Sequence, residues 1–482
     1  MQPSSHSFKA NAHQALRDNN LQSALSVLEA GLAASRAGAR DRLPEFDQLR
    51  ADAQRIKDEA LANLDYYLEQ FEARVIESGG VVHWCLDADE ACRTVLDICR
   101  QAGARTVTKG KSMVAEEIAL NPFLEQHGVT PIETDLGEYI IQLAAEPPSH
   151  IVGPAMHKTK EQVADLFLEH HAHLGFSARE TEPRRLVAQG RKVLRERYFQ
   201  ADVGITGANY LIAETGSTVI VTNEGNGDLT QSLPDTHIVV TGIEKIAPTL
   251  EDAATLLRVL ARSATGQEMS VYTTFSTGPR RADDRDGPKA FHVVLVDNGR
   301  SRLLASDKRE LLRCLRCGAC LNHCPVFGAV GGQAYGWVYS GPIGAALDPF
   351  LLGLKETRDL PFASSLCGRC EAVCPVGIPL PRIFRQWRAE AAAQKLTPRG
   401  ERWGVWLWAW FARRPRAYRM ATRLGSAVLR ALAGRRGRLR HLPGAGGWTA
   451  ARDFPVPAGR PFMAQWTNRT LNEKQRRTAD DS

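Results

Sequence analysis

Several features are missing from this sequence, and each absence narrows its class. The N-terminal stretch MQPSSHSFKANAHQAL has no basic segment followed by an apolar one, so we expect no secretory signal. No run of about 18 uncharged apolar residues occurs, so no segment is expected to span a bilayer. No Gly-x-Gly-x-x-Gly follows the first predicted strand, which argues against a standard dinucleotide site.

Neither positive nor negative charge is in large excess over most of the chain. The 482 residues carry a formal net charge of only +7, and 24% of them are charged while 43% are hydrophobic. That composition is typical of a globular protein, and the length suits two or three domains. The positive charge is concentrated in residues 401–460, where arginines far outnumber the two acidic residues Glu401 and Asp453.

Cysteine, in contrast, is clustered. Two groups lie within residues 314–374: Cys314-x2-Cys317-x2-Cys320-x3-Cys324-Pro325 and Cys367-x2-Cys370-x3-Cys374-Pro375. In bacterial ferredoxins this spacing lets three thiolates cap three irons of a cubane, while the cysteine before proline binds the other cluster. An odd set of cysteines at two-residue spacing suits a metal better than disulfides, and zinc sites use four ligands in two pairs, so neither alternative fits this pattern. Reduced thiols without an export signal predict a cytoplasmic protein.

The second group lacks one cysteine, because Ser364 stands three residues before Cys367. Crossing the groups therefore predicts one cluster held by four thiolates and another held by three: Cys314, Cys317, Cys320 and Cys374, and then Cys324, Cys367 and Cys370. The fourth iron of the second cluster is held by Ser364 or Ser365, by another non-cysteine ligand, by water or by a substrate, or it is absent, as in a [3Fe-4S] cluster. An open iron can act as a Lewis acid, whereas a hydroxyl ligand would only tune the potential.

The rest of the chain predicts helices followed by an α/β fold. Residues 1–75 have apolar positions at three- and four-residue spacing, which is typical of helices. Strands are predicted at 81–86, 106–108, 129–133, 203–206, 219–222, 237–241 and 292–296. Helices are predicted at 89–102, 115–127, 160–168, 208–213 and 250–262. This alternation favours a parallel sheet flanked by helices.

Polar, glycine-bearing loops follow several predicted strands, at 109–112, 134–138, 207–209 and 222–227. Ligands of parallel sheets bind at the carboxyl ends of strands, so these loops predict a shared pocket. Glu224 in the last loop can act as a base or nucleophile, although a carboxylate that stabilises the turn is the simpler interpretation.

Other candidate residues have simple structural interpretations. Cys85, Cys92 and Cys99 lie on a predicted strand and helix, where a free cysteine usually acts as a small buried hydrophobe. His150 and His157 flank Pro154 and can bind a metal, but two histidines without a third ligand are more typical of capping or packing.

Seven segments together resemble the iron–sulfur subunit of the lactate utilization complex, the lactate utilization protein B family. They are TDLGEYIIQLAAEPPSHIVGPAMH (134–157), DVGITGANYLIAETGS (202–217), VTNEGNG (221–227), VDNGRS (296–301), RCLRCGACLNHCPVF (313–327), GGQAYGWVYSGPIGA (331–345) and SSLCGRCEAVCPVGIPLP (364–381). The resemblance covers residues 8–470 and implies four regions: N-terminal helices (1–75), an α/β LUD domain similar to the sugar-isomerase and CoA-transferase fold (76–302), an α-helical ferredoxin-type module with two [4Fe-4S] clusters (303–390) and a basic C-terminal extension (391–482).

The resemblance also implies a function and a set of partners. It implies an electron carrier that works with two other lactate utilization subunits to oxidise L-lactate to pyruvate and then passes electrons to a downstream acceptor. The seven cysteines are the ligands it implies, and the serine at position 364 belongs to the family pattern. The alternative is a 2-hydroxy-acid oxidoreductase in its own right, which uses the LUD pocket or the open iron of the second cluster.

The C-terminal extension combines Trp403, Trp406, Trp408 and Trp410 with a dense series of arginines. We expect a helix that binds a partner protein, since tryptophan and arginine are typical interface anchors. A helix lying on the inner face of an anionic membrane comes second, and non-specific affinity for nucleic acid comes third. Residues 443–461 are expected to be irregular and residues 469–482 disordered.

Overall fold

Helices form the N-terminal region, as the apolar spacing predicts. The computed structural model describes residues 3–26, 29–110, 112–442, 445–457, 459, 461–466 and 469. Its first helices are α1 (Phe8–Ala15), α2 (Asn19–Leu25), α3 (Ala34–Asp41), α4 (Phe46–Ala62) and α5 (Leu64–Glu77). One face of α5 buries Leu64, Leu68 and Phe71 against the central sheet.

The central sheet has six strands, and every pair in it is parallel. The strands of this part of the chain are β1 (Val81–Cys85), β2 (Thr106–Gly110), β3 (Thr130–Glu133), β4 (Val203–Thr206), β5 (Tyr210–Ile212), β6 (Ser217–Thr222), β7 (Thr236–Gly242), β8 (Ile246–Ala247), β9 (Tyr272–Ser276) and β10 (Ala290–Val296). The order in the sheet is β1-β10-β7-β4-β2-β3. The α/β class with a parallel sheet is therefore confirmed.

One element is of the wrong type. The helix predicted at 208–213 is strand β5, which pairs antiparallel with β6 and parallel with β8 in a second sheet of order β8-β5-β6-β9. Tyr210, Leu211 and Ile212 favour a strand, and the turn before β6 needs Gly216 at φ 68°. A Cβ there would lie 2.7 Å from the backbone of Arg74, so this hairpin depends on contact with α5.

Nine helices flank or connect these strands in the described part of the chain: α6 (Ala88–Gln101), α7 (Met113–Glu117), α8 (Leu120–Gln126), α9 (Leu136–Leu143), α10 (Lys160–His171), α11 (Pro183–Gln200), α12 (Asn226–Ser232), α13 (Leu250–Ala264) and α14 (Arg300–Leu304). The single helix predicted at 115–127 is broken in two, because Ala119 is left-handed at φ 56°. The sequence pattern missed α9, α11, α12 and α14. Cys85 of β1 and Cys92 and Cys99 of α6 are buried in the core between the sheet and its helices, in agreement with their simple interpretation.

The two cysteine groups lie on short helices that follow α14. These are α15 (Ala319–Asn322), α16 (Pro325–Val330), α17 (Gly341–Leu351), α18 (Arg369–Ala372) and α19 (Leu380–Ala393). Helix α17 is buried over most of its length, and Trp387 of α19 donates to the carbonyl of Ala346 at 2.8 Å. The N-terminal helices, the sheet and this cysteine-bearing segment form one compact unit, Met1–Gln394.

The second compact unit, Lys395–Ser482, contains α20 (Arg399–Ala412), α21 (Pro415–Ala433), α22 (Gly446–Thr449) and a two-stranded sheet of β11 (Arg438–Leu439) and β12 (Phe454–Pro455). Parts of the region predicted to be irregular therefore form short elements. The predicted disorder of residues 469–482 falls outside the described residues except Arg469. Among the described residues, no helix combines the length and apolarity needed to cross a membrane.

Candidate iron–sulfur site

The two cysteine groups adopt the same backbone conformation. Arg316 immediately precedes Cys317, and Leu366 immediately precedes Cys367. Both residues are left-handed, at φ 59° and 56°. Gly318 and Gly368 follow at φ 73° and 82°, and each is the N-cap of a four-residue helix, α15 or α18. Non-glycine residues seldom adopt this conformation, so the matching pair at 316 and 366 shows that the groups are structural repeats.

Electrostatic interactions divide the cysteines into two sets. Burial, with smaller contributions from the neighbouring Cys374 and Cys314, raises the pKa of Cys317 to about 12. Burial also raises the pKa of Cys320, with Cys317, Cys314, Cys374 and Cys370 as the interacting thiols. We refer to Cys314, Cys317, Cys320 and Cys374 as site 1.

The remaining cysteines interact with one another. Burial raises the pKa of Cys324, and Cys367 adds to the shift. Burial raises the pKa of Cys370 to about 12, with Cys324 and Cys367 as interacting thiols. We refer to Cys324, Cys367 and Cys370 as site 2. The two sets are those of the crossed ligation expected from the sequence, with an interaction between them, that of Cys320 with Cys370. The ligation itself stays a prediction.

The sulfurs of both sites receive backbone hydrogen bonds. Arg316 N donates to Cys314 Sγ at 3.4 Å, Ile378 N to Cys374 Sγ at 3.4 Å and Phe327 N to Cys324 Sγ at 3.5 Å. Donors of this kind stabilise thiolates and tune the potential of an iron–sulfur cluster. The residues present therefore fit such a cluster. In the described part of the chain, no group of three or more His, Cys, Asp or Glu side chains is placed to hold a single metal ion.

Ser364 occupies the place in the second repeat that Cys314 has in the first. Leu366 N donates to Ser364 Oγ at 3.1 Å, just as Arg316 N donates to Cys314 Sγ. Ser365 differs, because its hydroxyl interacts with the sulfur of Cys367 and helps to lower the pKa of that thiol, for which the main cause is the backbone N–H of Arg369. By its position in the repeat, Ser364 rather than Ser365 corresponds to the ligand Cys314 of site 1.

Site 1 is surrounded by cationic side chains from other parts of the fold. Arg50 donates to the carbonyl of Cys374 at 2.8 Å, and Arg36 donates to the carbonyl of Val373 at 3.0 Å. Lys57 is buried and donates to Glu244 O at 2.6 Å. Burial lowers the pKa of Lys57 to about 7, although a negative charge on Cys314 acts to raise it. These cations would offset the negative charge of a cluster in a low-dielectric interior.

A buried ion-pair network joins this part of the fold to the sheet. Arg300 pairs with Glu117 through two hydrogen bonds of 2.9 and 2.8 Å and with Glu244 at 2.7 Å. Tyr339 donates to Glu117 at 2.6 Å. Burial acts to raise the pKa of Glu244, but Arg300, Lys245 and Arg316 hold it at about 2. The sequence reasoning missed this network, although Arg300 lies in the VDNGRS segment that carried the resemblance.

The two histidines in the loop before α10 have structural partners. His150 is buried, contacts Asn322 Oδ1 at 2.9 Å through Nε2 and accepts from Val152 N at 3.0 Å through Nδ1. His157 lies 2.8 Å from Glu146 Oε2 and 3.1 Å from Gln333 Nε2. Both histidines thus connect this loop to other parts of the chain, as the packing interpretation predicts.

A cavity of about 150 Å³ lies beside site 1. Loops that follow β2, β3, β4 and β6 supply Met113, Asp135, Asn209 and Asn223, and Cys317 of site 1 completes the wall. Strands β4, β2 and β3 are neighbours in the sheet, so their carboxyl ends lie together. Of the loops predicted to share a pocket, those at 134–138, 207–209 and 222–227 line one, and Met113 lies just after the loop at 109–112. The first cysteine loop closes this pocket, which the sequence did not indicate.

In the second compact unit, α20 and α21 leave large side chains exposed. Trp403, Trp406 and Trp408 are exposed by 66%, 58% and 65%. Arg414 lies over the ring of Trp410 at 4.2 Å. Exposed tryptophan beside arginine is typical of contact surfaces.

Three family matches cover the chain in order. Residues 68–296 match the LUD domain, residues 310–378 match the 4Fe-4S dicluster domain, and residues 388–470 match the C-terminal domain of lactate utilisation protein B. The LUD and dicluster matches contain the cavity-lining loops and all seven clustered cysteines respectively.

Full-length relatives give the same result. The chain is 40% identical to the uncharacterized electron transport protein YkgF of Escherichia coli strain K12, over 97% of this chain and 98% of the relative. It is 41% identical to lactate utilization protein B of Bacillus velezensis, over 97% and 98%. It is 44% identical to lactate utilization protein B of Geobacillus thermodenitrificans, over 90% and 91%. With the paired cysteine groups, the sheet and the C-terminal unit all accounted for, this chain belongs to the lactate utilization protein B family.

Proposed function

We propose that this chain is the iron–sulfur electron-transfer subunit of an L-lactate oxidation complex, in which it acts with partner subunits. The observation that carries the proposal is the pairing of two cysteine sites within one module. Cys320 of site 1 and Cys370 of site 2 are close enough to interact electrostatically, so clusters at the two sites would be neighbours. Oxidation of a 2-hydroxy acid releases two electrons, and a pair of one-electron clusters can accept them singly.

The ligand assignment follows the two sets of interacting thiols. Site 1 holds a [4Fe-4S] cluster through four cysteines. Site 2 holds the second cluster through three cysteines, with Ser364 placed at the fourth position. The segment between the groups lies against both sites, since Tyr335 is buried and interacts with Cys324, Cys320 and Cys370. Such a segment shields the clusters from water.

The proposed partners are two other lactate utilization subunits and a downstream electron acceptor. The exposed tryptophans of α20 supply a surface for a partner protein. The arginines of the same unit supply a second contact, with the inner face of the membrane. We assign no specific nucleic acid as a partner. The kinship of the LUD domain with the sugar-isomerase and CoA-transferase fold is part of the same proposal.

The test is reduction of the clusters under anaerobic conditions. Purified chain with both clusters is mixed with L-lactate, first alone and then with the two partner subunits, and the visible absorbance of the clusters is followed. A carrier stays oxidised alone and is bleached once both partners are present. The variant Cys374→Ser, which removes a ligand of site 1, serves as the control and should be bleached less.

A second candidate function is favoured by the cavity beside Cys317. According to this second candidate function, the chain itself oxidises the 2-hydroxy acid, at the LUD pocket or at an open iron of site 2. Bleaching by L-lactate without any partner would support this function and contradict the carrier.

A further inference from the structure

The cavity beside site 1 combines a cation, two carboxylates and an apolar wall. Its volume of about 150 Å³ is the space of roughly five water molecules in the liquid, which suits a short organic acid. Arg316 and Cys317 lie at its wall together with Asp135 and Glu138, the carboxylates that follow β3. The site is therefore small and carries charges of both signs.

Arg316 brings positive charge that its neighbours only partly offset. Its guanidinium lies over the ring of Tyr339 at 4.3 Å, and its closest carboxylate contact is Glu244, at 3.8 Å. Glu244 is already bound by Arg300 at 2.7 Å. Within the described residues, Arg316 Nη1 is buried and has no hydrogen-bond partner. A buried guanidinium with a spare N–H is a strong donor for a carboxylate.

The rest of the wall suits a molecule that also has a hydroxyl and a short alkyl group. A carboxyl oxygen can accept more than one hydrogen bond, so Asp135 can accept an O–H in addition to its contacts within the protein. Burial, together with the neighbouring Glu133 and Asp135, raises the pKa of Glu138 well above its usual value, so Glu138 does not act as a second charged acceptor. Apolar side chains line the remainder, among them Ile151, Val152 and Leu260. A keto acid has no O–H to donate to Asp135, so this contact favours the hydroxy acid.

We propose that this cavity binds a short 2-hydroxy carboxylate, with the carboxylate on Arg316, the hydroxyl on Asp135 and the alkyl group against the apolar wall. The choice of a 2-hydroxy acid rests on the proposed function, whereas the cavity and its charges do not. An anion bound beside Cys317 makes reduction of site 1 less favourable. By linkage, the reduced protein binds the acid more weakly than the oxidised protein.

The test is calorimetric titration of the anaerobic, cluster-containing chain with L-lactate, pyruvate and propionate. We expect L-lactate to bind more tightly than the other two acids, and the dithionite-reduced chain to bind L-lactate more weakly than the oxidised chain. Arg316→Gln should weaken binding by at least about tenfold, because a charge-assisted hydrogen bond is lost. Arg309→Gln, which changes an exposed arginine of the segment before the first cysteine, should bind as the unchanged protein does.

Arg316 lies next to a proposed cluster ligand, so a second variant guards against loss of the cluster. Ser270→Phe fills the cavity from the loop before β9, in a segment remote in sequence from the cysteines, and should abolish binding while iron content stays unchanged. If the chain with both clusters does not bind L-lactate, the inference is overturned and the proposed carrier function stands. If the chain holds no clusters, the proposed function fails instead. Equal affinity for propionate would overturn the role assigned to the hydroxyl.

Discussion

Site 1 and site 2 are built on the same chain conformation but differ in their surroundings. Site 1 has four cysteines, of which Cys317 and Cys374 are buried, and cationic side chains such as Arg50 and Lys57 lie around it. Site 2 has three cysteines, and its Cys367 is exposed. The comparison teaches that the repeat positions the sulfurs, whereas the rest of the fold sets the charge and solvent access that tune each potential.

The largest expected effect concerns which cysteine serves which site. Cys370 and Cys374 are four residues apart in one group, yet crossed ligation assigns them to different clusters. We expect Cys370→Ser and Cys374→Ser each to lose one cluster, of about four irons, but with different remaining EPR signals. Cys324→Ser, from the other group, should reproduce the Cys370→Ser signal. If Cys370→Ser and Cys374→Ser give the same signal instead, the ligation is not crossed.

Acid should affect site 1 through His150, whose ring lies near Gly318 in the first cysteine loop. Burial lowers the pKa of His150 from 6.5 to about 4. The unfolded chain therefore binds a proton at this histidine more readily than the folded chain does. The folded state keeps its full stability above pH 6.5 and loses stability as the pH falls from 6.5 towards 4. The loss amounts to about 3 kcal/mol, measured by denaturant unfolding.

The variant His150→Gln isolates this effect. It should flatten the dependence of the free energy of unfolding on pH between 6.5 and 4, while His127→Gln, at an exposed position, should leave the dependence as it is. An unchanged slope in His150→Gln would show that other groups cause the acid sensitivity.

Ser364 tests the difference in ligand number between the sites. Ser364→Ala removes the hydroxyl that stands in the place of Cys314, so we expect an altered EPR signal from site 2 and loss of up to about one iron. Ser364→Cys should give two clusters with four cysteines each and about eight irons. Ser365→Ala is the matched control and should keep the original iron content. A spectrum of Ser364→Ala identical to that of the unchanged protein would rule out this serine as a ligand.

The smallest expected effect concerns the cations of site 1. Arg50→Gln removes a positive charge that contacts the carbonyl of Cys374, so the midpoint potential of site 1 should fall by on the order of tens of millivolts, since the added electron is less well stabilised. Arg369→Gln, next to Cys370, should lower the potential of site 2 by less, because Arg369 is exposed and screened by water. Redox titration monitored by EPR measures both shifts.

Much of the fold could be read from local patterns. The six strands of the parallel sheet lie where short apolar segments predicted them, because inner strands such as β4 and β7 bury all of their residues. The prediction of a helix at 208–213 was wrong because this short strand is stabilised by pairing with β6 and β8, which no local period encodes. Helices such as α11, with its many charged residues, were missed because its apolar face is narrow.

The sequence by itself determined the identity of the cysteines and their division into repeats, since thiolate spacing along a short loop is a local property of the chain. It also located the polar loops at the ends of strands. Only the tertiary structure decided that Arg316 and Cys317 close the pocket formed by those loops, and that Arg36, Arg50 and Lys57 gather around site 1. These contacts join residues far apart in sequence, and burial and charge depend on distances in space that no local pattern records.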